Sequence, residues 1–334
     1  MIEGYRRLIT LNALVRPNVE SGREDIFVLS PGSVRVLLAS AVIISHISKY
    51  DIGRLGVIFF FFLSGYWTSR IWTEKFDEKQ FAPFYVSRAL RIYPLFLVVS
   101  LASSIFRGLP LSLENFLLFG IATTGNDPTG VSWSLDIEMQ YYLLCPLLLP
   151  LLRRLPWTTL TVCSAVAAVA WIVTPALGIR TALLYLPAFL AGALSDQLRH
   201  VPSARSAHAS LGLFALASVG AYFTPFFTKM THDPFHRDIF ALLWLLPLIP
   251  YLQRSLSIHS SRTDRAIGDY SYALYLAHFA VIALIVVHGT VTEKLVATIV
   301  SFGVAAILYI AVDSPLNAIR YRLLQLISKR ARGS

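Results

Sequence analysis

The fold is decided by long apolar runs, and the clearest of them is LVATIVSFGVAAILYIAV at residues 295–312. Eighteen consecutive positions pass there without a charged side chain. A helix of about 20 apolar residues crosses the roughly 30 Å hydrocarbon core of a bilayer, so this run indicates a transmembrane span. The whole chain agrees, because 55% of its 334 residues are hydrophobic and 14% are charged, against about 25% charged residues in soluble domains.

Ten such runs predict an all-α fold, a polytopic membrane helix bundle with about ten transmembrane helices. Two of the runs are atypical: the fourth carries Asp136 and Glu138, and the short eighth contains Pro247 and Pro250. The predicted spans are 29–48, 53–72, 85–106, 133–152, 157–176, 181–198, 209–227, 238–253, 270–288 and 295–316.

Loop charges predict the orientation of this bundle. With the N-terminus inside, 22 of the 29 Lys and Arg residues fall in cytoplasmic segments and 7 in outer ones. Cytoplasmic loops carry the excess of basic residues in membrane proteins, so both termini are expected in the cytoplasm. The net charge of +10 is then explained by anionic membrane lipids, and we expect no nucleic-acid partner.

The spans divide the chain into a polar cytoplasmic segment at 1–28, a transmembrane domain at 29–316 and a basic cytoplasmic tail at 317–334. Residues 1–28 lack a basic start followed by an apolar core and a small-residue cleavage site, so no cleaved signal peptide is expected. The loop 228–237 contains two His and one Asp, for which a solvated turn is favoured over a metal site. Cys145 and Cys163 lie in apolar runs without metal-ligand spacing and are interpreted as buried thiols.

His46 is an ionisable residue within the first span, and such residues are candidates for function by default. It follows Arg35 by eleven positions, or ~16 Å of helix, which predicts a place near the middle of the hydrocarbon core. Burial favours the neutral imidazole, which can accept a proton. A general base or nucleophile and a histidine bonded to a neighbouring helix both fit this position.

Arg88 and Arg91 begin the third span at a spacing of i,i+3, which puts both guanidinium groups on one helical face. Their forked donors suit a phosphate-bearing ligand on the cytoplasmic side. Anchoring to lipid headgroups is the alternative, and it is easier for Arg88 than for the deeper Arg91.

Two further spans carry polar stripes. Ser134, Glu138 and Tyr142 share one face of the fourth span because they are spaced by four residues. Glu138 could orient a substrate hydroxyl or fix a catalytic histidine, or it could form an interhelical salt bridge. In the ninth span Tyr275 and His278 lie along one face, which either lines a cavity or hydrogen-bonds neighbouring helices.

Five blocks of sequence, taken together, resemble the acyltransferase 3 family of integral membrane O-acyltransferases, which includes bacterial O-acetylases. The resemblance extends over residues 35–278. One departure is Asp313-Ser-Pro315, where the family usually has Glu-x-Pro. The blocks are Arg35 with His46 eleven residues later, Gly56-Val with Phe-Phe-Leu-Ser-Gly65, Arg88-Ala-Leu-Arg91-Ile-Tyr-Pro94, Trp133-Ser-Leu-Asp-Ile-Glu138-Met-Gln-Tyr-Tyr142, and Ser271-Tyr-Ala-Leu-Tyr275-Leu-Ala-His278.

The resemblance implies a function and roles for the matched residues. Acetyl-CoA, or another acyl-CoA, would be the cytoplasmic donor, no metal would be needed, and the acceptor would be a hydroxyl of a carbohydrate or lipid-linked saccharide. His46 would be the catalytic base or transient acyl carrier, supported by Glu138, and Arg88 and Arg91 would bind the phosphates of coenzyme A. The protein would lie in the bacterial cytoplasmic (inner) membrane, without the C-terminal hydrolase domain of some relatives. The other matched polar residues are assigned to substrate binding: Arg35, Ser134, Tyr142 and His278.

Two other functions use the same residue types. Buried His, Arg and Glu would also serve a transporter, or an acyl conduit that passes the group to a separate transferase. A structural membrane subunit would need none of them for chemistry. The transferase is favoured because the sequence shows no inverted repeat of the kind common in carriers and because the two arginines suit a phosphate ligand.

Overall fold

The computed structural model describes residues 25–76, 81–223, 234–320 and 322–323, and within these ranges all regular structure is helical. The all-α prediction is therefore confirmed. The predicted N-terminal segment up to residue 24, positions 228–233 of the His-containing loop and most of the basic tail lie outside the described residues. The helices are α1 (Pro31–Ile47), α2 (Ile52–Lys75), α3 (Phe81–Arg107), α4 (Leu113–Leu117), α5 (Ile121–Thr124), α6 (Trp133–Arg154), α7 (Pro156–Leu177), α8 (Leu186–Leu198), α9 (Ala204–Tyr222), α10 (Pro234–Leu245), α11 (Ile249–Ser257), α12 (Arg262–Ile285) and α13 (Val291–Leu308).

Each of the ten predicted spans coincides with helix, but not all of these helices are long enough to cross a bilayer. Within the described ranges, seven segments have the length and composition of a membrane span. The helix Pro31–Ile47 and the apolar segment Ala182–Leu198 are shorter, and α9 is not among the seven. Ten spans and cytoplasmic termini stay predictions. The seven are Ile52–Glu74, Phe81–Arg107, Trp133–Arg154, Pro156–Leu177, Arg237–Ser257, Arg262–Ile285 and Val291–Arg320.

Helix boundaries differ from the predicted spans where polar residues form the first turns. The ninth span was expected from about residue 270, whereas α12 begins at Arg262, because the side chain of Ser261 accepts a hydrogen bond from the backbone N–H of Asp264. Such a cap satisfies a backbone donor that would otherwise be unpaired. The eighth span is interrupted by a 3₁₀ turn at Leu246–Leu248, as expected where Pro247 cannot donate its backbone N–H.

Helices α1, α2 and α12 form the centre of the bundle. Helix α2 packs against α1, α8 and α10, and α12 packs against α1, α3 and α13. The crossing of α2 and α8 is closest at Gly65 and Gly192, where an added Cβ atom would lie 1.9 Å from the carbonyl oxygen of Phe189 and of Phe62, respectively. Only glycine permits this approach of two helix backbones.

The peripheral helices expose apolar side chains instead of polar ones. On α7, for example, Val169 and Ile172 are exposed, and on α13 Ile299 is exposed. Broad exposed apolar surfaces are rare on soluble monomers and mark a surface that another apolar phase covers. Together with the seven apolar helices, this distribution is that of an integral membrane protein.

The end of the bundle where α1 begins is called the inner end here, and the end where α1 finishes the outer end. Beyond α13 the chain forms a π-helical turn, Tyr309–Asp313, before it continues as helix. Single π-helical turns within helices occur frequently at functional sites. This turn buries the side chain of Asp313 against α3.

Candidate active site

A cavity of about 550 Å³ opens between α1, α2, α3, α6 and α12. Its polar part lies at the inner end, where these helices contribute charged side chains, and its other part is bounded by Phe60, Phe61, Ser134 and Tyr275. A volume of this size is within the range of small-molecule and cofactor sites. The charged residues on its wall are Arg35, Arg70, Glu74, Arg88, Arg91, Glu138, Asp264, Arg265, Asp269 and Arg320.

Arg91 is held by two carboxylates. Its guanidinium donates to Asp269 at 3.0 Å and to both oxygens of Asp313 at 3.2 and 3.3 Å, and it lies over the ring of Tyr272 at 5.2 Å. Neither aspartate was singled out as a partner from the sequence. The contacts tie α3 to α12 and to the π-helical turn, so the charge of Arg91 is already neutralised within the protein.

Arg35 and Arg88 differ from Arg91 in this respect. Both line the cavity, and among the described residues neither has a carboxylate at salt-bridge distance. Arg88 is only 7% exposed, and its Nε atom has no hydrogen-bond partner in the described part of the chain. A buried charge without a partner is costly, so the pair is suited to an anionic ligand.

Glu138 lies on the cavity wall beside these arginines. Its Oε1 atom accepts hydrogen bonds of 2.5 Å from both Ser64 and Tyr142, and the ring of Tyr142 lies 5.7 Å from the guanidinium carbon of Arg88. Ser134, Glu138 and Tyr142 all line the cavity, which agrees with the shared face expected from their spacing.

His46 lies near the outer end of the bundle. Helix α1 ends at Ile47, so His46 occupies its last turn, and its depth near the middle of the hydrocarbon core stays a prediction. Its half-buried ring packs against His278 and Phe279, with centroid separations of 5.2 and 4.9 Å.

The apolar end of the cavity stops at Tyr275, one side chain away from this histidine pair. The hydroxyls of Tyr275 and Ser134 are 2.7 Å apart, and the ring of Tyr275 lies 6.0 Å from that of His278. Neither His46 nor His278 lines the cavity itself. Tyr275 therefore connects the lining of the cavity to the histidine pair.

A second group of arginines, at the outer end, was missed by the sequence argument. The fully buried carboxylate of Asp238 accepts from Arg54 at 2.7 Å, from Arg180 at 3.0 Å and from the hydroxyl of Tyr185 at 2.7 Å. From the sequence these charges were counted only as loop charges. Their spacing of more than fifty residues gives no signal that they meet.

Metal chemistry has no candidate site within the described ranges, because no group of three or more His, Cys, Asp or Glu side chains there could hold an ion. The arrangement instead offers guanidinium groups, hydroxyls and a pair of imidazoles. These groups suit anion binding and proton transfer.

The family comparison covers the helices that form this cavity. The model of the acyltransferase domain family Acyl_transf_3 matches residues 30–312, which include the cavity helices and both histidines. No curated protein and no solved structure gives a significant match to the sequence. Because the family model covers most of the chain, the protein belongs to the acyltransferase 3 family and is a membrane acyltransferase.

Proposed function

We propose that the protein transfers an acyl group, acetyl in the first instance, from acyl-CoA to a hydroxyl of a saccharide in the bacterial cell envelope. The observation that carries the proposal is the cavity, which has Arg35 and Arg88 on its polar wall and ends next to the pair formed by His46 and His278. Family membership supports acyl transfer in general. The identity of the donor, the identity of the acceptor and the location in the inner membrane are proposed in addition to it.

Coenzyme A is an anionic ligand whose phosphates would bind at the inner end. Arg35 and Arg88 are suited to them because guanidinium groups form forked hydrogen bonds with phosphate oxygens. Arg91, which the sequence argument also assigned to the phosphates, would act by holding α3 in place through Asp269 and Asp313. The pantetheine arm would then extend through the cavity towards Tyr275.

The wall of the cavity offers further donors for such a ligand. Trp67 Nε1, Thr68 Oγ1 and Arg88 Nε are buried polar atoms that have no hydrogen-bond partner in the described part of the chain, and all three residues line the cavity. Buried donors are normally satisfied. Acceptor oxygens of a bound molecule would satisfy them after small movements of the wall.

His46 is the proposed proton acceptor. As a general base it would take the proton of the acceptor hydroxyl while the hydroxyl oxygen attacks the thioester carbonyl. As a nucleophile it would first carry the acyl group on the imidazole and then pass it to the hydroxyl. In both routes the side chain of Tyr275 has to move, because it separates the cavity from the imidazole pair.

Glu138 would support the reaction from the wall, as a positioning group. Its hydrogen bonds to Ser64 and Tyr142 fix the tyrosine ring on which the guanidinium of Arg88 lies. Loss of the carboxylate would therefore loosen Arg88, and the first kinetic effect would be on the KM for the donor.

The proposal is tested by measuring the release of free coenzyme A from acetyl-CoA by the purified protein in lipid nanodiscs, with and without saccharide acceptors. Release that depends on an acceptor and is lost in His46→Ala is expected. His288→Ala is the matched control, because the side chain of His288 is 78% exposed. Release that is independent of every acceptor, or that is equal in His46→Ala and wild type, would overturn the proposal. A carrier would instead move a labelled substrate across the bilayer without releasing coenzyme A.

A further inference from the structure

His278 is a buried histidine whose tautomer the structure determines. Its side chain is fully buried, and its Nδ1 atom lies 2.7 Å from the carbonyl oxygen of Tyr275 and 3.2 Å from that of Leu274. Carbonyl oxygens only accept hydrogen bonds, so Nδ1 carries the hydrogen. In the neutral ring Nε2 is then an acceptor with a lone pair and no proton.

That acceptor is left without a partner. Among the described residues, no donor is within hydrogen-bond distance of His278 Nε2. Burying an acceptor in this way is unfavourable, and such groups in native proteins have a reason to persist. The neutral imidazole of His46 can supply the missing donor, because it carries one N–H group and lies nearby.

The ring of His46 is close enough to donate this N–H. The two imidazole centroids are 5.2 Å apart, and this is the separation of two such rings joined by one N–H···N hydrogen bond of about 2.9 Å. The planes are inclined by 45°, so the hydrogen bond requires a rotation of the His46 ring. His278 itself is fixed by its bond to the backbone.

Phe279 is another aromatic neighbour of His46, with a centroid separation of 4.9 Å. A phenyl ring has no nitrogen or oxygen acceptor, whereas His278 Nε2 can accept a hydrogen bond from a nitrogen of His46.

We infer that His278 is a positioning residue for acyl transfer: its Nε2 atom accepts a hydrogen bond from one nitrogen of His46 and so presents the other nitrogen as the base. The inference rests on the proposed function and assigns to His278 a task other than binding substrate. The bond fixes the tautomer of His46, in the way that an orienting partner fixes a catalytic histidine.

In the proposed reaction His278 neither gains nor loses a proton. The acceptor O–H bond breaks and its proton goes to His46, while the hydroxyl oxygen forms a bond to the acyl carbon. The C–S bond then breaks, and the proton moves from the His46 imidazolium to the departing sulfur of coenzyme A. Throughout these steps His278 keeps its own hydrogen on Nδ1 and accepts from His46 at Nε2.

Two substitutions separate this role from a merely structural one. In His278→Gln an amide oxygen can take the position of Nε2 and accept a hydrogen bond. In His278→Asn the shorter amide can donate an N–H from the position of Nδ1, but no acceptor replaces Nε2. We expect the kcat of the Gln variant to exceed that of the Asn variant at least tenfold, with the KM for acetyl-CoA unchanged in both. A second orienting partner of this kind is typically worth about 10- to 100-fold.

The inference is tested by which of the two variants has the higher kcat. If His278 only satisfies the Tyr275 carbonyl of its own helix, the kcat of His278→Asn will equal or exceed that of His278→Gln, and that result overturns the inference. Both variants are compared at matched monodispersity in nanodiscs, with His288→Gln as an exposed control that should match wild type.

A second readout needs no turnover. In protein labelled with ¹⁵N-histidine, the Nε2 resonance of His278 should lie in the unprotonated range and should shift when His46 is replaced by alanine. A protonated Nε2, or a resonance indifferent to His46→Ala, would overturn the inference while leaving the proposed function standing. Conversely, a wild-type protein that releases no coenzyme A with any acceptor overturns the function, whatever the resonance shows.

Discussion

The inner and outer ends of the bundle each contain a group of three arginines and two aspartates, and the two groups pair their charges differently. The inner group is Arg35, Arg88, Arg91, Asp269 and Asp313. The outer group is Arg54, Arg180, Arg237, Asp51 and Asp238. At the outer end, Asp238 binds Arg54 and Arg180, and Asp51 accepts from Arg237 at 2.7 Å. Every arginine of this outer group therefore has a carboxylate.

In the inner group both aspartates bind the same arginine. Asp269 and Asp313 bind Arg91, and Arg35 and Arg88 share the cavity wall with it. The comparison shows that charge count alone does not identify a binding site. What distinguishes the inner group is that the distribution of carboxylates leaves two guanidinium groups facing a cavity.

The largest expected effect is on kcat and follows from replacing His46, the proposed proton acceptor. His46→Ala should lower kcat by about 10²–10⁴, the usual contribution of a positioned general base. The measurement is steady-state release of coenzyme A, with expression and monodispersity checked against wild type. A kcat of His46→Ala equal to that of wild type would contradict the proposed link between the cavity arginines and catalysis at His46.

The next effect tests the outer group as a structural element. Asp238→Asn removes the charge that balances Arg54 and Arg180 and leaves both partly buried, which is expected to cost about 3–5 kcal/mol of stability. Unfolding of detergent-solubilised protein measures it. The KM for acetyl-CoA in the folded fraction should stay unchanged, and a raised KM with unaltered stability would show that the outer group binds ligand.

Arg88→Gln and Arg35→Gln test the inner group in the opposite sense. Each should weaken acetyl-CoA binding by about 1.5–3 kcal/mol, the contribution of a hydrogen bond to a charged group, and should leave the unfolding temperature near that of wild type. Isothermal titration with coenzyme A gives the affinity. Arg237→Gln is the matched control, since it should reduce stability and leave the affinity unchanged; the reverse pattern would exchange the roles of the two ends.

The smallest effect is expected at the mouth of the cavity. Glu74 accepts from Arg70 at 3.2 Å, four residues earlier on α2, and is 41% exposed. Exposed pairs of this kind contribute about 0.3–0.5 kcal/mol, so Glu74→Gln should barely change the free energy of unfolding. If Glu74→Gln lowered the free energy of unfolding by several kcal/mol, Arg70 and Glu74 would form a structural ion pair like those of the outer group.

The sequence predicted the helices well because each one has to bury or expose a long apolar surface. Within the described residues all ten runs coincide with helix, and the all-α prediction is confirmed. Boundaries were less predictable, because α12 gains its first turns from a polar cap at Ser261 and the span near Pro247 is split by a 3₁₀ turn. The hydropathy of the sequence shows neither the polar cap nor the 3₁₀ turn.

Residues that share a helical face were predictable, and their partners on other helices were not. The spacing of Ser134, Glu138 and Tyr142 predicted one shared face, and all three line the cavity. Arg91, in contrast, meets aspartates 178 and 222 residues away in the chain, so no local pattern could show that its charge is neutralised. The contact of His46 with His278 is likewise a product of helix packing between α1 and α12.

The central claim is that the inner cavity delivers an acyl thioester to His46, and a cryo-EM structure of the protein in nanodiscs with bound coenzyme A tests it most directly. The account predicts phosphates within hydrogen-bond distance of Arg35 and Arg88, with Tyr275 moved aside and the sulfur next to the His46 ring. Coenzyme A bound elsewhere, or a cavity still closed at Tyr275 with the sulfur remote from His46, would contradict it.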